Sequence, residues 1–240
     1  MSSIARLTTT LRVASWNVLS NWWYVYKYYD FSGEKTKKSW PHRKELTKKY
    51  IRKLDADILT LQEINPHTFA EDFNFMRELG YDGIMEDSKN KWMRCAIYFR
   101  RDKITLVQAE HKAYKCLIAQ LQVKKVNSNC AASSTEGLQA QQYLFVTTCH
   151  LSASSPGDRV RQVETALRLV DKIAKKSSIA TIDIPLLLCG DFNTFVDVAD
   201  SPVRRFLLDG ILQANFNNKY PVRVGVRVRV RVHKALAPLG

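Results

Sequence analysis

Apolar runs of strand length alternate along this chain with segments whose apolar positions recur at helical spacing. Three runs predict strands in the middle of the chain, near residues 94–100, 104–108 and 117–123. Four further runs each end on a polar side chain; they are residues 11–17, 57–63, 143–151 and 186–194. The alternation predicts a mixed fold in which helices interrupt the strands.

Helical spacing is clearest in two segments. The first begins with Pro41 and carries one apolar stripe made of Leu46, Tyr50, Ile51 and Leu54. The second follows Asp158, with an inward face made of Val160, Val163, Leu167, Val170 and Ile173. A capping-box pattern at residues 68–71 predicts another helix that closes near Gly80, and Ser201-Pro202 predicts a fourth.

The polar residues at the strand ends are Asn17, Glu63, His150, Asp191 and Asn193. Oxygen ligands of this kind suit a hard divalent cation, and an imidazole can meet an anion. Gly190 allows close approach of a neighbouring backbone just before Asp191. If strand pairing persists, Asp191 and Asn193 share one face. The alternative is a turn in which these side chains bond nearby amides.

Four short motifs, W-N, L-Q-E, H-L and G-D-F-N, follow one another from residues 16–17 to residues 190–193. Their order resembles that of the endonuclease/exonuclease/phosphatase superfamily of metal-dependent phosphodiesterases and phosphatases, over roughly residues 11–210. The resemblance implies an α/β fold, a two-layer β-sandwich flanked by helices. Residues 94–100 look like its central strand.

The resemblance also implies a role for each polar residue at the strand ends. Glu63 would be the principal Mg²⁺ ligand, with Mn²⁺ as the alternative metal, and Asn17 would assist it directly or through water. Asp191 would orient or deprotonate the attacking water, and Asn193 would hold the scissile phosphate or the nucleophile in line. His150 would donate to a non-bridging phosphate oxygen. Each residue taken singly has a structural alternative.

An insertion rich in aromatic and basic residues lies between W-N-x-L-S and the H-R-x-x-L segment at residues 42–46. This arrangement is similar to the deadenylase and nocturnin-like branch, which implies a Mg-dependent 3′ exoribonuclease. Phosphatase and phospholipase siblings stay open as alternatives. Trp22 and Tyr24 would stack on bases, unless the insertion is buried against the sandwich. Arg159 and Gln162 would contact phosphate or base, unless they only cap and solvate their helix.

The formal net charge of +14 suits a polyanionic partner. Six basic residues and no acid lie in residues 219–240, and a second concentration surrounds the first predicted helix. The expected partner is nucleic acid, with RNA favoured. A solvated helix face explains the second concentration equally well, and a non-catalytic nucleic-acid-binding fragment stays open as an alternative function.

One motif of the superfamily is missing from this sequence. Members carry a late S-D-H motif, yet the only His after position 191 is His233, which no Asp precedes. Val and Arg alternate through residues 222–232, with the period of a strand but also the monotony of a translated short-nucleotide repeat. We expect a frame-shifted or truncated C-terminus: an incomplete domain at 11–214 without its last strands, and a basic low-complexity tail at 215–240. The magnesium site would then support weak or absent turnover.

Cysteine usage and hydropathy set further bounds. The five cysteines are scattered without C-x-x-C spacing and predict reduced core residues. No apolar run approaches the roughly twenty residues that cross a bilayer, so no membrane span is predicted. An intracellular, cytoplasmic protein is expected. A nuclear location stays open, as does a mitochondrial one, because residues 1–12 contain Ser, Thr and Arg without an acid.

Overall fold

The structure is a computed structural model that describes residues 10–20, 39–89, 92–113, 115–124, 142–177, 185–194, 201–203 and 207. Its strands are β1 Val13–Asn17, β2 Ile58–Ile64, β3 Tyr81–Met85, β4 Arg94–Arg100, β5 Ile104–Ala113, β6 Cys116–Val123, β7 Tyr143–His150 and β8 Leu186–Asp191. Its helices are α1 Trp40–Leu54, α2 Phe69–Asp72, α3 Phe75–Glu78 and α4 Pro156–Lys176.

The strands form two four-stranded sheets, ordered β1-β2-β4-β3 and β5-β6-β7-β8. Each sheet contains one parallel pair, β1 with β2 and β7 with β8, and its other pairs are antiparallel. The sheets face each other, since β1 packs against β8 and β2 against β7. The two parallel pairs therefore lie opposite each other across the sandwich.

Side chains at alternate positions of the central strands pack into different hydrophobic cores, one on each face of the sheet. In β2, Ile58 packs between the two sheets, whereas Leu59 and Leu61 pack with Ile51 of α1. On the second sheet, Phe145 of β7 packs beneath α4. The layers are thus helix, sheet, sheet and helix, which confirms the α/β fold and the two-layer β-sandwich flanked by helices.

The two long helices bury their predicted faces to different extents, since Leu46, Tyr50 and Leu54 of α1 are only half-buried. α1 begins beside the predicted Pro41 and buries Ile51, and α4 buries all five predicted inward residues. α4 begins at Pro156, before Asp158 rather than after it. The reason is the cap: the Ser155 side chain accepts a hydrogen bond from the Asp158 N–H, with Pro156 as the first helical residue.

The single helix predicted from residues 68–71 is wrong. The chain forms two helical turns of four residues each, α2 and α3, and Thr68 makes no side-chain cap. Its hydroxyl donates instead to the carboxylate of Asp72, which also accepts from Trp40 Nε1 at 2.7 Å. Asp72 thus links this segment to Trp40 of α1. No single helix runs from Thr68 to Gly80.

β3 is a strand that the sequence pattern does not predict, because its residues include Asp82 and Gly83, both poor strand formers. It pairs with β4 at the edge of the first sheet, where Gly83 lies opposite Tyr98. A Cβ at position 83 would lie 2.4 Å from the Tyr98 ring. The glycine therefore makes room for a large buried side chain on the neighbouring strand.

Several expectations can be compared with the described residues only in part. Cys95, Cys116, Cys149 and Cys189 are free, and the first three are buried. No helix in the described part of the chain is long and apolar enough to cross a membrane. The predicted fourth helix is present at Pro202 and Val203. The upper domain limit at 214 and the Val/Arg-rich tail at 215–240 lie outside the described residues. Both domain limits stay predictions.

Candidate active site

Four strands end with polar side chains at the same edge of the sandwich. Asn17 is the last residue of β1 and Glu63 the next to last of β2. His150 and Asp191 are the last residues of β7 and β8, and they are partners in the register of that parallel pair. Because hydrogen-bonded ladders hold these strands, their ends give the side chains a rigid support.

The carboxylates of Glu63 and Asp191 converge on one nitrogen atom. Asn17 Nδ2 donates to Glu63 Oε1 and to Asp191 Oδ2, at 2.9 Å each. The two carboxylate oxygens therefore lie no more than twice that distance apart. His150 Nε2 is 3.7 Å from Glu63 Oε1 and 3.9 Å from Asp191 Oδ2. Side chains from both sheets thus form one cluster around the Asn17 amide.

Glu63 owes its direction to an irregularity in β2. The register between β2 and β4 shifts between Leu61 and Ile64, and Glu63 has a φ of 62°. Such a bulge redirects one side chain without ending the strand. The second oxygen of the carboxylate, Oε2, accepts the backbone N–H of Ser20 at 2.8 Å. The turn after β1 therefore helps to fix the Glu63 carboxylate.

The Asp191 side chain forms an Asx turn with the residues that follow it, which is the alternative that the sequence leaves open. While Oδ2 faces Asn17, Oδ1 accepts the backbone N–H of Asn193 at 2.8 Å. β8 ends at Asp191 and Asn193 has a φ of 45°, so strand pairing does not persist to Asn193, and the alternative of a turn is the one that forms. Asn193 Nδ2 instead donates to the Leu151 carbonyl at 2.8 Å and ties this turn to the end of β7.

Position 190 requires a glycine, because the backbone of β7 lies very close to it. It has a φ of 132°, and a Cβ at this position would lie 2.1 Å from the carbonyl oxygen of Cys149. No side chain fits there without moving one of the two strands. The glycine thus keeps His150 and Asp191 side by side, as the expected close backbone approach implies.

Left-handed backbone is concentrated at this edge of the sandwich. Of seven residues with positive φ in the described part of the chain, five lie here: Leu19, Glu63, Lys115, Gly190 and Asn193. A non-glycine residue in this conformation costs on the order of 1 kcal/mol or more and persists only where its surroundings hold it. The concentration marks a candidate functional site independently of the residue types.

His150 is held in its neutral form. Burial lowers the pKa of the imidazole below its ordinary 6.5 and outweighs the carboxylates of Glu63 and Asp191, which favour the protonated form. Lys115, whose carbonyl accepts the His150 backbone N–H at 3.0 Å, lowers this pKa further. At pH 7 the ring therefore has one N–H donor and one acceptor.

Gln62 connects the two sheets directly beneath the cluster. Its side chain is buried, and Nε2 donates to Thr148 Oγ1 at 2.9 Å and to Ser15 Oγ at 3.3 Å. Because Thr148 belongs to β7, this bond fixes β2 against β7. The separation of Glu63 and His150 depends on that spacing.

The oxygen atoms of the cluster fit a hard divalent cation. Two facing carboxylates repel each other unless positive charge lies near, and the groups described beside both of them are the neutral Asn17 amide and the His150 ring. In the described ranges no three His, Cys, Asp or Glu side chains are grouped to hold a metal ion. Two carboxylates suffice for Mg²⁺, which keeps several of its waters. The Asn17 oxygen is turned away, since it accepts the Leu19 N–H at 2.9 Å.

The predicted substrate-binding residues have different outcomes. Arg159 Nη1 donates to the carbonyls of Ser152 and Ala153, at 2.9 and 3.3 Å. Gln162 Oε1 accepts the Ser152 N–H at 3.0 Å. Both side chains thus hold the loop that follows His150 and β7. Trp22 and Tyr24 lie outside the described residues.

The sequence profile of the Endonuclease/Exonuclease/phosphatase family matches residues 14–220. The chain belongs to this family. Members of the endonuclease/exonuclease/phosphatase family are hydrolytic nucleases or phosphatases and generally depend on a divalent metal. The matched residues include all five polar residues at the strand ends.

Two named proteins show what this chain resembles in sequence. The chain is 30% identical over 221 residues to Carbon catabolite repressor protein 4 homolog 1 of Arabidopsis thaliana, covering 77% of this chain and 35% of that protein. It is 25% identical to Nocturnin of Xenopus laevis, covering 88% and 53%. The chain thus spans between a third and about half of these relatives.

Solved structures share the fold. The crystal structure of ANGEL2, a 2′,3′-cyclic phosphatase, superposes with a TM-score of 0.65 at 23% identity, covering 83% of this chain and 57% of that one. The human Nocturnin catalytic domain with bound sulfate gives a TM-score of 0.55 at 20% identity, covering 86% and 70%. At these identities the likeness establishes the architecture alone.

Proposed function

We propose that this protein is a Mg²⁺-dependent phosphodiesterase that removes nucleotides from the 3′ end of RNA, as a deadenylase does. The observation that carries the proposal is the convergence of the Glu63 and Asp191 carboxylates on Asn17 Nδ2, with His150 beside both. Two facing carboxylates without a described Lys or Arg partner, and a neutral imidazole, at rigid strand ends suit phosphoryl transfer better than structural support.

Each residue has a role that its contacts support. Glu63 would hold Mg²⁺, and Asn17 would keep the Glu63 and Asp191 carboxylates apart and oriented. When bound, the metal supplies charge stabilisation for the phosphate and acidifies bound water. Asp191 Oδ2 accepts a proton from the attacking water, and His150 donates its N–H to a non-bridging phosphate oxygen. Asn193 positions Asp191 through its backbone N–H.

The substrate class rests on relatives and on charge. The Saccharomyces cerevisiae protein named CCR4-Not complex 3′-5′-exoribonuclease subunit Ccr4 is 26% identical over 220 residues, which cover 79% of this chain and 26% of that protein. A net charge of +14 suits a polyanion such as RNA. Trp22 and Tyr24 would stack on bases, and Arg159 and Gln162 would shape the loop beside the phosphate. We place the activity inside the cell, with the cytoplasm favoured.

Hydrolysis of a 5′-labelled oligoadenylate by the 240-residue chain tests the proposal. We expect slow, Mg²⁺-dependent shortening from the 3′ end, because no Asp-His pair follows Asn193 in this sequence. Glu63→Gln should abolish both the shortening and the heat of Mg²⁺ binding in calorimetry. Glu45→Gln, an exposed change on α1, is the matched control and should leave both unchanged.

Three results would contradict the proposal. Shortening that persists in Glu63→Gln would place the chemistry elsewhere. RNA retained without cleavage, equally by the parent and by Glu63→Gln, would identify a non-catalytic nucleic-acid-binding protein. Hydrolysis of a phosphomonoester or a phospholipid in preference to RNA would assign the chain to a phosphatase or phospholipase sibling.

A further inference from the structure

We propose that Arg43 of α1 is a positioning residue for the active site, acting through the turn at Val18, Leu19 and Ser20. This inference rests on the proposed function, since it concerns the same carboxylates. Arg43 lies 20 residues before Glu63 in the sequence, and its side chain is in contact with the backbone of that turn. The residue touches neither of the two carboxylates in the contacts that the structure describes.

The guanidinium of Arg43 holds two adjacent carbonyls of the turn. Nη1 donates to the carbonyl of Val18 at 3.0 Å and to that of Leu19 at 2.8 Å. Leu19 has a φ of 58°, an unfavourable conformation for a leucine that needs support from its surroundings. Hydrogen bonds from a charged donor are stronger than neutral ones, so Arg43 stabilises the strained form of the turn.

The same turn delivers two backbone N–H groups to the site. Leu19 N–H donates to Asn17 Oδ1 at 2.9 Å, and Ser20 N–H donates to Glu63 Oε2 at 2.8 Å. The first bond decides which way the Asn17 amide faces, so that its nitrogen meets both carboxylates. The second bond fixes the Glu63 oxygen that Asn17 does not touch. Moving the turn would therefore disturb Asn17 and Glu63 together.

Arg43 is in turn held by the residues around it. Its guanidinium lies 5.2 Å from the ring centroid of Trp40, and Trp40 Nε1 donates to Asp72 Oδ1 at 2.7 Å. Lys44 lies 3.8 Å from the same carboxylate oxygen. Asp72 is buried, so this support is anchored in the core between α1 and α2. The geometry of Glu63 thus depends on a contact chain that begins at α2.

The test compares Arg43→Met, Arg43→Lys and the control Arg52→Met. Met keeps the length of the side chain but removes its charge and its donors, whereas Lys keeps the charge and part of the donor capacity. Arg52 lies on the exposed face of the same helix, so its substitution makes the same charge change away from the turn. Three measurements follow: amide hydrogen exchange of residues 17–20, Mg²⁺ affinity by calorimetry, and the kinetics of oligoadenylate hydrolysis.

For Arg43→Met we expect faster exchange of the Leu19 and Ser20 amides, with unchanged exchange in β4. Mg²⁺ affinity should fall about 10-fold and kcat 10- to 100-fold, typical of losing an outer partner of a ligand, with little change in KM. Arg43→Lys should recover part of each effect, and Arg52→Met should match the parent in amide exchange and in Mg²⁺ affinity. Unchanged exchange at residues 17–20 in Arg43→Met would overturn the proposal.

The exchange measurement separates this proposal from the assignment of function. If residues 17–20 exchange faster in Arg43→Met but the parent neither binds Mg²⁺ nor cleaves RNA, the positioning role stands and the proposed function fails. If Arg43→Met lowers only the unfolding temperature, and does so with normal exchange at the turn and normal Mg²⁺ affinity, Arg43 is a structural residue and the positioning role is wrong.

Discussion

At one end of β2 the buried carboxylate of Asp57 accepts hydrogen bonds from Arg12 N at 2.7 Å and Lys103 Nζ at 2.6 Å. At the other end the carboxylate of Glu63 faces that of Asp191 across a neutral amide. The two carboxylates are six positions apart along the chain and have opposite electrostatic arrangements: Asp57 is paired with the Lys103 ammonium, and Glu63 has no Lys or Arg partner among the described residues.

The compensation at the Asp57 end extends to its neighbours. Asp55 pairs with Arg12 at 3.1 Å and also with Arg100. At the Glu63 end, His150 Nε2 lies 3.7 Å from the Glu63 carboxylate, and burial lowers the pKa of the imidazole and keeps it neutral. One end of the sandwich thus uses charge to stabilise the fold, whereas the other stores negative charge that a cation could neutralise. This difference is the physical reason to place chemistry at the second end.

Asp191→Asn should give the largest effect on activity. It removes one negative charge and the proposed proton acceptor, so we expect hydrolysis of oligoadenylate to fall at least about 100-fold. The unfolding midpoint should stay the same or rise, because the repulsion between Asp191 and Glu63 disappears. Activity assays and thermal unfolding measure the two quantities on one preparation. A large loss of stability with full activity would reverse the assignment of the two ends.

Asp57→Asn is the same substitution at the other end, and it should affect stability instead. The new amide cannot accept from both Arg12 N and the Lys103 ammonium without placing its NH₂ group against one of them. Lys103 is half exposed, which weakens the contribution of its ion pair with Asp57 to stability. We therefore expect Asp57→Asn to lower the free energy of unfolding by about 2 kcal/mol. Denaturant unfolding measures this loss. The activity per folded molecule should be unchanged.

The pH dependence of unfolding gives Asp57→Asn a second readout. Burial opposes ionisation of Asp57, yet the bonds from Arg12 and Lys103 outweigh it and lower the pKa below 3.8. A lowered carboxyl pKa contributes stability above pH 3.8 that is lost as the pH falls through the folded-state value. Below that range the variant and the parent should converge. A stability difference that stayed constant down to acid pH would contradict this account.

The sequence predicts the polar residues at the ends of the strands, but not the contacts that orient them. Asn17, Glu63, His150 and Asp191 each end an apolar run, a local signal, and parallel pairing brings such ends together. The bulge at Glu63 depends on the pairing of β2 with β4, and the contact between Arg43 and the turn depends on the position of α1 beside the end of β1. Both join residues that are distant in the sequence, so no local pattern records them. β3 is not predicted for a related reason. Gly83 is a poor strand former, and its place in the strand is explained by the space that Tyr98 needs on the neighbouring strand.

Substitution of Glu86 should change stability least, yet it separates burial from pairing best. Glu86 is as buried as Asp57, but its hydrogen bonds and neighbouring charges do not outweigh the cost of burying its carboxylate. Burial raises its pKa above 4.5, and the bonds from Cys95 N and Ser88, together with the charges of Arg94 and His111, do not offset this. The folded state then binds more protons than the unfolded state, so stability falls as the pH rises above 4.5.

Glu86→Gln keeps an acceptor for the Cys95 N–H and removes the buried charge. We therefore expect the unfolding midpoint at pH 7 to rise by up to about 4 °C, the shift that roughly 1 kcal/mol produces in a domain of this size. The gain should vanish below pH 4.5, where the carboxyl is protonated in both states. Asp57→Asn changes stability in the opposite direction at pH 7. If both substitutions destabilise the fold equally, favourable pairing outweighs burial at Glu86 as it does at Asp57, and the contrast between the two sites loses its electrostatic basis.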